Sequence, residues 1–281
     1  MSLKMHPLLR NISLDLTPER AKFNQAVISR IHALPDVNDF GTGAGDRADV
    51  DVPVTINKFK EIHHAFTVQE LSSTDRNLVR ESAEPIAEAL SRHFVAAIAA
   101  LWTTGNFPTE AVEAVADCDY QTLTAARKAL NAAGAPKFRR FFVGDEDVYE
   151  KLLNDSTIIE ADKNPGSSAI QTGEITNVAG FSSISEYPDI PSASNLIGFF
   201  GSPDSAVISG RLPADPREVL PNAPFPGVMQ PISDPSSGFS VLATEHIDPN
   251  TLTANVRVIF MYGVAKGNAA HGIRLVHTAT S

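Results

Sequence analysis

Glu61, His63 and His64, followed by Glu70, are the residue types that hold zinc or iron, because imidazole nitrogen and carboxylate oxygen are ligands of those ions. The run around them alternates, so His63 and His64 point to opposite faces of a strand and do not easily share one ion. The helical HExxH arrangement is absent. His64 is expected to line a core face and His63 to meet solvent. Glu245 and His246, with Asp248, could supply a general acid and base, but no G-x-S-x-G elbow supplies a nucleophile, and Gly201-Ser202-Pro203-Asp204-Ser205 lacks the strand-to-helix context of one. Cys118 lies between Asp117 and Asp119, whose charges oppose thiolate formation, so it reads as a helix-boundary residue. As the only cysteine it excludes an internal disulfide and a thiolate metal cluster within one chain. Gly41-Thr42-Gly43-Ala44-Gly45 lacks the Lys-Ser/Thr of a phosphate loop and leads into a strand where a dinucleotide site needs a helix N-terminus. No catalytic constellation stands out.

The elements that would position these groups follow from hydrophobic period. Residues 1–36 read as an arm with a short helix, from the Thr17-Pro18 start signal and Phe23, Val27 and Ile31 at intervals of four; it could pack on a neighbour as easily as on itself. Residues 37–49 form a glycine-rich excursion. Val50, Val52, Val54 and Ile56 share one face, as do Ile62, His64, Phe66 and Val68, which predicts an antiparallel pair across Asn57 to Glu61. From Val79 the period changes. Val79, Ala83, Ile86, Leu90, Phe94, Ile98 and Leu101 predict an amphipathic helix, the longest element, which Pro85 must either start or kink. A second helix is expected from about Asp119 to Ala133 with Gly134 as its stop, then a buried strand over Phe138 to Val143 and a short helix over Glu146 to Leu153. Short strands are expected near 181–187, 196–200 and 206–210 in a Pro-, Gly- and Ser-rich stretch whose topology stays open. Three more are expected at 239–246, 251–262 and 272–277. The class is α+β.

The 281 residues, 43% of them apolar, suffice for a real core, and 17 Gly with 19 Pro is ordinary usage that removes collagen-like and low-complexity readings. The net charge of −10 argues against a dedicated nucleic-acid reader. The longest apolar run, Phe94 to Trp102, is half of the roughly 18 residues a membrane span needs, and the N-terminus lacks a secretory apolar stretch, so a cytoplasmic compartment and no membrane are expected. An arm, a glycine-rich loop, a long helix and abundant strand edges suit a protein whose stable form is an assembly.

Three blocks in this order resemble tailed-bacteriophage major capsid proteins of the podophage coat-protein type. The first is Val52-Pro53-Val54-Thr55-Ile56-Asn57-Lys58-Phe59-Lys60 running through Phe66-Thr67-Val68-Gln69-Glu70-Leu71 into Pro85-Ile86-Ala87-Glu88-Ala89-Leu90. The second is Arg140-Phe141-Phe142-Val143-Gly144-Asp145-Glu146-Asp147-Val148-Tyr149, continuing to the G-x-I-x-x-x-A-G-F stretch from Gly173 to Phe181. The third is Arg257-Val258-Ile259-Phe260-Met261-Tyr262-Gly263-Val264-Ala265 with Gly272-Ile273-Arg274-Leu275.

The resemblance covers roughly residues 40 to 277 and implies a minimal tailed-phage capsid fold. It implies an N-terminal arm (1–36), an extended loop (37–56), a peripheral-domain strand and spine helix (57–104), an axial domain (105–238) and closing strands of the peripheral domain (239–281). It implies a structural protein rather than an enzyme, with no cofactor and no metal, that self-associates as hexamers and pentamers into an icosahedral shell around double-stranded DNA held without sequence-specific contact. Scaffolding and portal proteins are implied partners, and the locations are the virion capsid and, during assembly, the host cytoplasm. Asp46 and Arg47 in the loop, with Lys58, Lys60 and Glu61 at its base, are the expected assembly contacts. Encapsulin shells resemble the same fold and form one alternative; a small metal-dependent hydrolase using Glu61, His64 and Glu70 is the alternative from another class.

Overall fold

Ile86, Leu90, Phe94 and Ile98 recur at intervals of four, which places them along one side of an α-helix, and all four are buried. That helix organises the chain. The computed structural model describes residues 6–16, 22–31, 49–73, 78–159, 174–191, 195–215, 217, 227–233 and 240–278. In chain order the elements are α1 (Pro7–Asn11), β1 (Ser13–Leu16), β2 (Ala26–Ile31), β3 (Val50–Thr55), β4 (Lys58–Phe66), α2 (Val68–Ser72), α3 (Leu78–Glu81), α4 (Ala83–Ala99), β5 (Glu110–Glu113), α5 (Tyr120–Ala132), β6 (Phe141–Gly144), α6 (Glu146–Leu153) and α7 (Ser156–Ile159). There follow β7 (Ile175–Val178), β8 (Phe181–Glu186), β9 (Leu196–Gly201), β10 (Ala206–Arg211), β11 (Gly227–Ser233), β12 (Ser240–Asp248), β13 (Thr253–Lys266) and β14 (Gly272–His277). No helix among the described residues is long and apolar enough to cross a membrane.

Among the described residues the strands form two six-stranded sheets and a two-stranded ribbon. In the first sheet the 14-residue β13 pairs antiparallel with β12, β4 and β10, while β1 lies parallel beside β10 and β11 lies antiparallel beside β12. The second sheet runs β5-β14-β9-β6-β8-β7. Helix α4 lies in one core with residues from both: Phe94 meets Tyr262 of the first sheet edge-on at 4.8 Å, and the same cluster holds Phe141, Val143 and Phe199 of the second. The second sheet is buried on its other face too, where Phe142, Phe200, Ile273 and Leu275 pack with Leu123, Ala126 and Leu130 of α5 and Val148 and Leu152 of α6. Burial on both faces is why β6 and β9 are continuous apolar runs. Close ring packing depends on glycine here: a Cβ on Gly198 would come within 2.8 Å of the Phe142 ring, which stacks on Phe200 at 4.3 Å.

Several expectations are met and several are corrected. Helix α4 is the longest element at 17 residues; Pro85 starts it, in its first turn behind Ser82, and α3 is a separate short helix. Helices α5 and α6 match their predicted spans, and Gly134 ends α5 at φ 73°. The predicted helix through Phe23, Val27 and Ile31 is instead strand β2, and the short helix of the arm is α1. The runs 50–56 and 62–68 do not pair with each other: β3 pairs with β2, and β4 with β13. Strand β6 begins only at Phe141, because Phe138 is exposed and Arg139 takes a left-handed φ of 53°. Strand β11 arises where no strand was expected. The sheets also cut across the expected segments, since β10 and β11 join the first sheet and β14 joins the second.

The N-terminal segment packs on its own chain. Leu8, Leu9 and Ile12 are buried in the α4 core, and His6 ties the segment down. Its backbone N–H donates to Ser91 Oγ at 2.8 Å, its Nδ1 accepts from Leu8 N at 3.2 Å as the N-cap of α1, and its Nε2 therefore carries the proton given to the Glu186 carbonyl at 3.0 Å. Burial lowers the His6 pKa, against the raising effect of the Glu186 carbonyl. Further along, buried Arg211 bonds the Asp15 carboxylate at 3.1 Å and its carbonyl at 2.8 Å, which clamps β1 against β10.

Two outcomes follow from these ties. Because the folded His6 pKa lies below its unfolded value, the unfolded chain binds more protons, and this contribution is lost as pH falls through about 6.5. Urea midpoints at descending pH should drop less steeply for His6→Asn, which can still cap α1 but does not titrate. Asp15→Ala, by leaving buried Arg211 without its carboxylate and with only neutral acceptors, should cost about 3 kcal/mol in urea unfolding, and a loss under about 1 kcal/mol would show that the ionic part of the clamp is not used.

Candidate assembly surface

Strands β2 and β3 form an antiparallel ribbon from Ala26↔Thr55 to Ile31↔Val50. The alternation of β3 gives it an inner face, Val52 and Val54, that packs with Ile31 on Val207 of β10. Its outer face carries exposed Ile28, 64% accessible, opposite Pro53. Arg30 bonds Asp51 at 2.8 Å on that face; the hydrogen bond raises the Arg30 pKa and lowers that of Asp51. Both partners are solvated, so the pair sets register more than stability. Gly263 of β13 seats the ribbon, because a Cβ there would collide with the Thr55 carbonyl.

Strand β4 sorts its side chains by parity. Ile62, opposite Val258, packs on the α4 core, and Lys58 and Lys60 share its face, opposite Tyr262 and Phe260. Phe59, Glu61 and His63 take the other face. There Phe59, 52% accessible, meets exposed Phe23 edge-on at 6.3 Å, Glu61 lies 3.9 Å from Arg257, and His63 Nε2 bonds Asn255 Oδ1 at 2.8 Å. Exposed apolar residues also occur on the opposite side of β13 from β4: Val228 and Ile232 on β11, Ile247 on β12 and Leu252 in the β12–β13 turn. Solvated apolar side chains on strand edges are what contact with another chain would cover.

Of the expected assembly contacts, Asp46 and Arg47 lie outside the described residues, as does the Gly41–Gly45 run. Lys58, Lys60 and Glu61 sit on one strand but on two faces. The hydrolase residues are not brought together: Glu61 and His64 point to opposite sides of β4, and Glu70 closes a capping box on Thr67 at the start of α2. His64 is half-buried and stacks on Phe66, in line with its expected core face. His63 is exposed as expected, with Asn255 as its partner. Glu245 and His246 are successive residues of β12 and so face apart, while Asp248 accepts from Asn250 N and Thr251 Oγ1, bonds that lower its pKa. Ser202 and Ser205 are buried in a 3-10 turn where Ser205 Oγ donates to the Ser202 carbonyl. Among the described residues no three His, Cys, Asp or Glu side chains are grouped to hold a metal.

Sequence reasoning missed Phe23 and Phe59 as a pair. Phe59 stands out of phase with the apolar alternation of its strand, and an aromatic out of phase is the signal that could have found it. It also missed the buried arginines. Arg140 donates to the Ala135 and Pro136 carbonyls at 2.7 Å, and Arg274 pairs with Glu110 and with Thr104 Oγ1.

No family model matches the chain, and no curated protein matches it. Solved structures match it nearly end to end. The capsid structure of cyanophage P-SCSP1u aligns with a TM-score of 0.59 at 13% identity, covering 95% of this chain and 86% of that one. Mycobacterium phage Che8 aligns at 0.55 and 16%, covering 89% and 84%, and the virus-like particle from Pyrococcus furiosus at 0.51 and 14%, covering 97% and 92%. The class is thereby set: an α+β chain with the fold of capsid and virus-like-particle chains. Within it, the cyanophage capsid chain shares the fold across all but a twentieth of this chain.

Cys118, between a 3-10 turn and α5, is 1% accessible, and burial first, then Glu113, Asp145, Asp117 and Asp119, push its thiol up to about 12. The folded chain should leave Cys118 unmodified by a thiol reagent at pH about 8 and titrate one thiol in denaturant; rapid labelling of the folded chain would contradict the burial.

Proposed function

We propose that this chain is the major capsid protein of a tailed phage, a structural protein that self-assembles as hexamers and pentamers into an icosahedral shell around double-stranded DNA. The observation that carries this is the coverage of the fold: 95% of the chain aligns with 86% of the cyanophage capsid chain. The three collinear blocks support the same reading. The first runs from β3 through β4 and α2 to α4, the second from β6 into α6 and on to the β7–β8 hairpin, and the third covers β13 and β14.

On this reading residues 37–56, with Asp46 and Arg47 and ending in β3, are the extended loop, and α4 is the spine helix. The outer ribbon face, with Ile28, and the Phe23–Phe59 pair beside Glu61 are the assembly contacts. Scaffolding and portal proteins are the partners during assembly in the host cytoplasm, and the virion capsid is the destination. The chain acts without catalysis. A second reading, an encapsulin-like shell without a genome, draws support from the virus-like particle of Pyrococcus furiosus, which aligns over 97% of this chain.

Negative-stain microscopy of the purified chain should show closed shells. The double variant Ile28→Ser with Phe59→Ser should keep the circular dichroism of the parent and lose at most about 1 kcal/mol of stability, since both side chains are solvated, yet lose most of the shell yield. A parent chain that stays monomeric overturns the shell reading; intact shells from the double variant remove this face from the contacts. Nuclease-protected DNA inside virion particles separates the phage coat from the genome-free shell.

A further inference from the structure

The chain is acidic overall, with a net charge of −10, yet one face of the first sheet gathers Lys58 and Lys60 beside His93 of α4, and among the described residues neither lysine has an acidic partner. We propose that Lys58, Lys60 and His93 form an anion site that takes a phosphate group, supplied by the backbone of the packaged nucleic acid. The source of the phosphate rests on the capsid reading; the site itself does not.

The register places the three groups together. Lys58 and Lys60 stand directly across from Tyr262 and Phe260 on β13, and the Lys58 ammonium lies 5.4 Å from the centre of the Tyr262 ring. The His93 ring, from α4, meets the same two residues, at 5.7 Å from Tyr262 and 6.1 Å from Phe260, and its Nε2 bonds Tyr262 Oη at 2.7 Å. Among the described residues neither lysine has an ion pair, and His93 Nδ1 has no hydrogen bond. Helical neighbours of His93 are uncharged: Ala89, Leu90, Ala96 and Ala97, of which Ala89 and Ala96 are exposed and leave the approach open. Glu84 and Glu88 are not among those neighbours, and Glu88 borders the groove with His6 and Arg92. Among the described residues the groups facing His93 are thus Phe260 and Tyr262 from β13 and the two lysines from β4.

Two lysines two residues apart on one strand face stand about 7 Å apart at their Cα atoms. Burial and then Lys60 lower the Lys58 pKa, and burial, Lys60 and Lys58 in that order lower that of His93. Like charges held together without a counter-charge are relieved by a bound anion. Phosphate fits because ammonium groups serve it as point charges and an imidazolium adds one directional donor. The contact would be to backbone and blind to sequence.

The test compares the full-length chain with Lys58→Gln/Lys60→Gln and with a charge-matched control, Lys128→Gln/Lys137→Gln, whose lysines are exposed elsewhere. Binding of a dye-labelled duplex of about 20 base pairs is followed by anisotropy between about 50 and 200 mM salt. The site variant should bind about tenfold more weakly at the low-salt end, and its slope of log K on log salt should fall by about 2, with the control close to the parent. Equal binding by the site variant, or an equal loss in the control, overturns the proposal. Affinity should rise as pH falls from about 7.5 to about 5.5, and His93→Gln should abolish the rise; a rise that persists in His93→Gln removes His93 from the site. Inorganic phosphate should protect His93 from carbethoxylation, read by peptide mass. Protection by free phosphate without duplex binding would leave a small-anion site and overturn the nucleic-acid assignment. Shell yield is recorded on the same samples, so a parent that binds duplex but forms no shells fails the capsid reading alone.

Discussion

Burial of one apolar stripe, that of α4, is the constraint on which the rest of the structure depends. Leu90, Phe94 and Ile98 are removed from water by residues of two different sheets, so α4 shares its core with both. At about 25 cal/mol per Å² of apolar surface, side chains of this size contribute roughly 2 kcal/mol each, more than any solvated ion pair in the chain. The aromatic residues follow from that placement. Phe94 meets Tyr262 and Phe260 on one side, and Trp102, just past the helix, stacks flat on Phe199 of the second sheet at 4.8 Å. The N-terminal segment is held by the same stripe, since Leu8, Leu9 and Ile12 belong to the α4 cluster.

With the core fixed in this way, strand edges and ribbons become the outward parts. The β2–β3 ribbon buries only Ile31, Val52 and Val54 against Val207, a small cluster for a projecting element, and leaves Ile28 in solvent. Strand β11 is exposed along nearly its whole length and carries Pro231, which suits an edge strand that lacks a partner for one donor. A buried core leaves apolar strand edges that gain buried area from neighbours. The fold is shared with capsid chains at 16% identity or less.

The sequence by itself determined the elements with a strong period of their own. Helix α4 was legible from its stripe, α5 from its span and terminal glycine, α6 as a short helix, and β6 and β9 as short strands whose apolar runs are buried on both faces. The order of segments carried the capsid resemblance. At β2 the pattern misled for a definite reason: Phe23, Val27 and Ile31 lie four apart, and four is both close to one helical turn and twice the strand period. At β11 there was little to read, because a strand exposed on both faces has no alternation.

Tertiary structure alone decided partners. Alternation in β3 and β4 fixed which side chains share a face, but a strand pairs with whichever edge the core presents, and long-range packing gave β3 to β2 and β4 to β13. The same holds for the sites. Glu61, His64 and Glu70 are close in sequence and are separated by strand parity and a helix cap, whereas Lys58, Lys60 and His93 come from distant elements and converge only because β4 and α4 both pack on Phe260 and Tyr262. Local periodicity sets the direction of each side chain relative to its own backbone. Which groups then meet depends on how whole elements are stacked to remove apolar surface from water, and that is a property of the entire chain.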